Sequence, residues 1–434
     1  MSIATGFFGV IALFVLLALR VPVALALIAV PFAGITAMLG LTPAIGILSN
    51  TPVSFVANWT LSAVPMFLLM GFISFHAGLT QGLFEAAKAV LRWVPGALAI
   101  SSIFACSGFA AVCGSSLATA AAMGRIAIPE MVKSGYSPSF ATGSIAAGGT
   151  IGAFIPPSIL MIVYGVFAET SVTKVFMGGV TIGLLTAVAY SIVVLLTCWL
   201  RPDIAPPRPL DAEGLDTRKA LLNIWPVLLL MGIVFGGLFS GLFTATEAGA
   251  VGALGAIVIG LATRRMTWDI FKVSMIETLQ TSSSLFIIGV GAAMFTRFLG
   301  LTGLSTFISG TVSGLDLGYV QLMVVVVCIY LVLGMFMEPF GAMLVTLPVL
   351  LPIFRQEGID PIWFGVLVTK LLEIGMITPP VGLNVFVIRN VASQYATVAQ
   401  IFKGVIPFLV ADIFVVIIAI AFPSFILYLP SLLQ

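Results

Sequence analysis

Long apolar runs separated by short polar breaks dominate the chain. Ile3 to Leu19, Val23 to Leu39, Val175 to Leu200, Trp225 to Phe243, Ala248 to Ala262, Leu322 to Phe336 and Gly404 to Leu427 are each near the roughly 20 residues that a helix needs to cross a bilayer. None alternates polar and apolar positions as the strands of an outer-membrane barrel do. The pattern predicts an all-α polytopic membrane protein. Its first run has no basic segment ahead of it and leads straight into a second, so it is expected to remain as a span and not to be cleaved as a signal.

Between these spans lie apolar segments interrupted midway. "ALAISSIFACSGFAAV" and "LATAAAMGRIAIP" flank the polar turn Cys113–Ser116, and "LVLGMFMEPFGAMLVTLPVLLP" is broken at Glu338, Pro339 and Gly341. Two arms around a polar tip read as a helical hairpin that enters the membrane and returns, predicted over about 98–129 and again over about 322–352. Downstream of each hairpin, "IGAFIPPSI" (Ile151 to Ile159) and "IGMITPPVG" (Ile374 to Gly382) put adjacent prolines into helical segments, over about 140–167 and 363–390. A proline removes a backbone hydrogen bond and clashes with the preceding turn, so each pair is expected to break its helix and free carbonyls.

The separation of Pro156 from Pro379, 223 residues, also carries Pro129 onto Pro352, Gly135 onto Gly358, Pro138 onto Pro361 and Gly152 onto Gly375. With the Pro-Pro pair, six Pro and Gly positions of 129–157 recur where about 0.7 would by chance. The chain therefore reads as two repeats, 1–200 and 222–434. A linker over 201–221 joins them, containing the one long hydrophilic stretch, Arg201 to Lys219.

Composition narrows the class further. With 60% hydrophobic and 8% charged residues and a mean hydropathy of +1.23, a soluble globular fold is excluded, since charged residues there are roughly 25%. The net charge of +2 matters less than where Lys and Arg fall. Arg201, Arg208, Arg218 and Lys219 precede the run from Trp225, and Arg264, Arg265 and Lys272 follow the next run, with no Lys or Arg between Lys219 and Arg264. The positive-inside rule puts both flanks in the cytoplasm and the turn "FSGLFTATEAGA" outside. The matching turn of the first half, "ALRVPVALA", carries Arg20 and is expected inside, with the N-terminus periplasmic. Equivalent turns on opposite sides make the halves inverted repeats, the architecture of many secondary transporters. Cys106, Cys113, Cys198 and Cys328 have no C-x-x-C spacing and lie in apolar surroundings, so all four read as packing residues.

Irregular backbone at membrane depth is tolerated only beside protein or a wet cavity. Folding the tips against the broken helices would gather hydroxyls, freed carbonyls and helix ends into one place. Half-helix N-termini suit anionic groups, whereas carbonyls and hydroxyls suit a small hard cation. One cation site per half follows. The competing reading, in which each Pro-Pro pair merely kinks a packed helix, leaves the hairpin tips without a role. No G-x-x-x-x-G-K-[ST] loop offers ATP, and no H-E-x-x-H, G-x-S-x-G or paired intramembrane aspartates suggest an enzyme. An ion gradient is the remaining energy source.

Taken as a set, "ALRVPVALAL", "GLFTATEAGAVGA", "CGSSLATAAAMGRIAIPEMVKSGYSP", "GAFIPPSI" and "ITPPVGLNVFVI" resemble the large membrane subunit of tripartite ATP-independent periplasmic (TRAP) transporters in its unfused form, over essentially the whole chain. The resemblance implies an inverted-repeat fold of elevator type, with a scaffold and a moving transport domain. It implies sodium-coupled import of an organic acid, of the sialic acid or C4-dicarboxylate type, across the bacterial inner membrane. The implied partners are a small membrane subunit and a periplasmic solute-binding protein, and two or more sodium ions are the implied transported cofactor. On this chain the first sodium site would use Ser115, Ser116 and the carbonyl region of Gly152; the second would use Gly334, Gly375 and Thr378, with Glu338 near the second tip. Solute would lie between the tips, against Ser115, Ser158, Asn384 and Glu338. The family more often has Asp near 338, which leaves Glu338 open between ion ligand, solute neighbour and scaffold contact. A stand-alone sodium-coupled dicarboxylate or anion carrier of the same architecture is the alternative.

Other ionisable residues have blander readings. Glu338 itself is a strong candidate, because an ionisable group in an apolar helix is costly and usually faces an interior or a cavity. Glu247 in "TATEAGA" fits a helix cap as well as a function. His76 is expected to be interfacial or structural and not a proton carrier. Lys370 and Glu373, three apart on one helix, are expected to pair with each other, and Arg389 and Arg297 to snorkel.

Overall fold

The computed structural model describes residues 3–206, 217–314 and 318–432; positions 207–216 of the predicted linker lie outside the described residues. Those described form helices and loops, with no strand among them. Val172–Leu200, Ala245–Ala262, Tyr319–Phe336 and Val398–Ala421 are long and apolar enough to cross a membrane, and they coincide with predicted spans. Ile3–Ala18, Val23–Leu39 and Trp225–Phe239 are shorter apolar helices at the other predicted places. The fold adds Trp59–His76, Trp268–Thr302 and Pro339–Gln356 to the helices capable of spanning. Phe8, Leu184, Val324 and Phe414 are exposed, so the outer surface is apolar, as contact with lipid requires.

Local chemistry sets where the helices start. Ser137 accepts a hydrogen bond from the Phe140 N–H at 3.2 Å, and Asp360 accepts from Ile362 and Trp363; a proline follows each cap at the first helical position. Ala245–Ala262 starts with a capping box in which Thr244 accepts from the Glu247 N–H and the Glu247 carboxylate accepts from the Thr244 N–H at 2.8 Å. Of its two predicted roles, Glu247 thus fills the cap. Trp268–Thr302 has 35 residues and so runs about 52 Å, well beyond a hydrocarbon core of about 30 Å.

The first hairpin consists of Ala97–Cys113 and Ser116–Lys133, with Gly114 and Ser115 at the tip. The second consists of Tyr319–Phe336 and Pro339–Gln356, with Met337 and Glu338 at the tip. Pro138–Thr150 stops in a short 3-10 turn, Ile151–Ala153, and resumes as Ile159–Phe167; Pro361–Gly375 stops likewise and resumes as Leu383–Val391. The 223-residue offset carries Ser116–Lys133 end for end onto Pro339–Gln356, and Gly135 and Gly358 both have positive φ. The halves interleave. Ala245–Ala262 packs on Ala63–His76 while Val23–Leu39 packs on Trp268–Thr302, and Val398–Ala421 crosses to Pro138–Thr150. In that last contact the backbones touch, since a methyl on Gly404 would overlap the carbonyl of Ser139.

All four cysteines are free, and Cys106, Cys113 and Cys198 are buried. Cys328 is a correction to the sequence reading. It is exposed and borders a lateral apolar crevice between Ile3–Ala18, Trp268–Thr302 and the second hairpin, because Tyr319–Phe336 turns that face outward.

Candidate transport site

Both hairpin tips reach the same cavity, of about 260 Å³. Ser115 and Ser116 come from the first tip, Glu338, Pro339 and Phe340 from the second, Ala153 and Ile159 from the first broken helix, and Glu373 and Met376 from the second. Leu68 and Phe72 of Ala63–His76, with Thr281 and Leu285 of Trp268–Thr302, close the wall.

The first tip is locked onto the first break. Gly114 ends its helix at φ 63°, a left-handed conformation that glycine adopts without a Cβ clash, and its N–H donates to Ala110 O at 2.9 Å. A methyl on Gly114 would overlap the Pro157 carbonyl oxygen. Ser115 caps the next helix by accepting from the Ala118 N–H, and its carbonyl accepts from the Thr119 hydroxyl at 2.7 Å. Gly152 packs directly on this turn, since a Cβ there would lie 2.8 Å from Ser115 O and 2.8 Å from Thr119 Oγ1. Ser115, Ser116 and Gly152 are thus brought together. Thr119, which the sequence reading did not select, joins them from one turn beyond Ser115.

The second group is only partly assembled. Gly334 and Gly375 meet backbone to backbone, a Cβ on Gly375 falling 2.5 Å from Gly334 Cα. Thr378 donates to Ile374 O at 2.6 Å, within its own broken helix. Half-buried Glu338 faces the shared cavity and makes no side-chain cap bond at its helix start. Ser158 and Asn384 are buried and are not among the residues lining the cavity. Ser158 caps Ile159–Phe167 through the Met161 N–H, and Asn384 donates to Ala146 O at 3.4 Å.

Lys370 and Glu373 do not pair with each other, which corrects the expectation from their spacing. The Lys370 ammonium contacts Asp412 Oδ1 at 2.6 Å and Thr186 Oγ1 at 3.1 Å, and lies 5.2 Å from the centroid of the Phe154 ring. The Tyr190 hydroxyl stands 2.9 Å from both Asp412 oxygens, and Thr150 is 3.3 Å from that hydroxyl. Both charges are essentially unexposed. Glu373 instead accepts from the Ser116 hydroxyl at 3.1 Å. Neighbouring helices supply closer partners than the shared helix does. Asp412 was missed, although a lone acid in the apolar run from Gly404 was the signal that could have found it. His76 meets Glu277 at 2.9 Å, a structural role, Arg389 donates to the nearby Ser393 carbonyl, and Arg297 is exposed.

Two hairpins and two broken helices closing on one cavity, inside an apolar exterior, define a helical solute transporter. Residues 10–425 match the family described as tripartite ATP-independent periplasmic transporter, DctM component. The chain is 38% identical over 376 residues to the C4-dicarboxylate TRAP transporter large permease protein DctM of Pseudomonas aeruginosa, covering 86% of this chain and 87% of that one. It is 32% identical over 379 residues to the sialic acid TRAP transporter large permease protein SiaM of Vibrio cholerae, covering 87% of each. The crystal structure of the Alcanivorax borkumensis YdaH transporter has a similar fold, with a TM-score of 0.61 at 16% identity over 88% of this chain and 90% of that one. The chain belongs to the TRAP transporter large permease family. As such it is the large membrane component of a tripartite system, alongside a small membrane subunit and a periplasmic solute-binding protein.

Proposed function

We propose that the protein takes an organic acid from its periplasmic binding protein and carries it across the inner membrane, driven by sodium. One observation carries the solute class: three helix N-termini line one cavity. They are Ser116–Ala118 of the first hairpin, Pro339 and Phe340 of the second, and Ile159 and Leu160 of the first broken helix. Pro339 has no N–H, the Ala118 N–H is held by Ser115 and the Ile159 N–H by the Gly114 carbonyl, which leaves Ser116, Leu117, Phe340 and Leu160 to present first-turn N–H groups; each end also carries about half a positive charge, a setting for a carboxylate. The solutes in the relatives' names, a C4-dicarboxylate and sialic acid, belong to the same class.

The sodium reading rests on uncharged oxygens at the two breaks, which suit a hard cation. Ser115, Ser116, Thr119 and Gly152 form the first group, and Gly334, Gly375 and Thr378, with Glu338 nearby, the second. In an elevator cycle the hairpins and broken helices would move together against Ala63–His76 and Trp268–Thr302. The cavity between these two sets of elements supports that division. The protein is therefore a carrier and not an enzyme.

The test is uptake into liposomes holding this chain and its small membrane subunit, with the solute carried by its cognate binding protein. Uptake is expected only with an inward sodium gradient and the loaded binding protein. Ser115→Ala should raise the sodium concentration for half-maximal uptake about 10-fold, as loss of one oxygen ligand worth roughly 1.4 kcal/mol predicts. Uptake without sodium would overturn the coupling, whereas sodium-driven uptake of free solute would favour the stand-alone carrier.

Inverted halves make a separate prediction. In a variant without the four native cysteines, Leu242→Cys should react with an impermeant thiol reagent from the periplasm, and Leu19→Cys, at the matching turn of the first half, only from the cytoplasm. Reversed labelling would put the N-terminus inside and remove the charge argument for inversion.

A further inference from the structure

The buried charges of Lys370 and Asp412 are not among the residues lining the cavity, and neither oxygen group uses them. What they join is specific. Lys370 stands one turn ahead of Ile374, whose carbonyl accepts from Thr378 at the second break. Asp412 comes from Val398–Ala421 and Tyr190 from Val172–Leu200. At the other end, Thr150 is the last residue of Pro138–Thr150, two before Gly152 at the first break. Lys370, Asp412, Tyr190 and Thr150 thus form one polar chain from the second break to the first, with links of 2.6, 2.9 and 3.3 Å. The ammonium also lies against the turn around Gly152, because Phe154, 5.2 Å from it at the ring centroid, closes that turn by donating its N–H to Ile151 O at 3.0 Å.

All but one of these links has a fixed sense. Lys370 can only donate to Asp412, and Asp412 takes the Tyr190 proton, which leaves the Tyr190 oxygen as an acceptor. Thr150 has one hydroxyl proton and two acceptors in reach: Tyr190 at 3.3 Å and, in its own helix, Ala147 O at 2.7 Å. It therefore has two states, closed on its helix or tied to Tyr190. We propose that the Tyr190 hydroxyl, held between Thr150 and Asp412, is the joint that couples the two breaks, so that sodium at either one raises the affinity of the other. A cation among Ser115, Ser116, Thr119 and Gly152 fixes the helix end that carries Thr150 and biases its choice. Through Tyr190 and Asp412 that bias reaches Lys370 and the second break, and coupling of this kind is reciprocal. Tyr190 and Thr150 are positioning residues that touch no ion themselves. The inference rests on the sodium reading of the two breaks and adds that they fill together.

Equilibrium binding of radioactive sodium to the purified complex with the small membrane subunit tests it. The wild type is expected to bind with a Hill coefficient of about 1.5, as a roughly 10-fold mutual enhancement gives for two like sites. Tyr190→Phe removes the hydroxyl and keeps both the ring and the Lys370–Asp412 pair, and Thr150→Val removes the facing hydroxyl at nearly constant shape. Each should lower the coefficient to about 1, and the double variant should lower it no further, because all three cut the same bond. A merely structural role would lower the unfolding midpoint and leave the coefficient unchanged, and that result overturns the inference. So does a coefficient of about 1 in a wild type that still binds sodium, and so does complete loss of sodium binding in a folded variant, which would make the hydroxyl a ligand. If Tyr190→Phe does not fold, Thr150→Val decides alone. No saturable sodium binding by the wild type would sink the sodium reading itself, and this inference with it.

Discussion

Gly114→Ala is expected to destabilise the protein by about 3 kcal/mol or more and to abolish uptake, the largest effect of any single methyl at the site. Two costs add. Alanine at φ 63° carries a left-handed penalty of about 1–2 kcal/mol. Its methyl would also overlap the Pro157 carbonyl, and neither the hairpin tip nor the proline break can yield without the other moving. Gly303→Ala is the control, because Gly303 has a similar φ of 74° and nothing within 4 Å of the added methyl. It should show the conformational cost alone, about 1–2 kcal/mol. Thermal unfolding of both variants separates the terms, and equal losses would show that the tip and the break are not locked together.

Asp412→Ala is expected to cost about 3–5 kcal/mol, because it strands the Lys370 ammonium in a site with essentially no exposure. Replacing both partners, Lys370→Met with Asp412→Leu, should recover most of that loss, since a buried pair gains little over well-packed apolar groups of similar volume. The pair ties Pro361–Gly375 to Val398–Ala421, and Tyr190 and Thr186 extend the tie to Val172–Leu200. A double variant that unfolds as readily as the single one would show that these charges do more than neutralise each other. The measurement is the unfolding midpoint of the two variants and the wild type in detergent, with sodium-driven uptake of the double variant as a second readout.

The apolar runs, the two hairpins, the two proline breaks and the 223-residue offset were all legible in the sequence. Each depends on local rules: the length that crosses a bilayer, the bond a proline removes, the turn a glycine permits. The same rules hid Trp268–Thr302, whose early turns carry Asp269, Lys272 and Glu277 and so read as polar until the helix is seen to continue for 35 residues. Leu41–Val56 was hidden in the same way by Ser49, Asn50 and Thr51. Tertiary structure decided which groups meet. Spacing of three along a helix suggested that Lys370 pairs with Glu373, yet helix rotation gives Lys370 to Asp412 and Glu373 to Ser116, residues 42 and 257 positions away in the chain. That Ser115 and Glu338, at the tips of different halves, share one cavity was expected from the tips and the broken helices, whereas nothing along the chain could tell that Ser158 and Asn384 would not line it. Element types follow from neighbours along the chain, whereas the partner of a buried charge is set by how whole helices pack, where desolvation makes every unpaired group costly.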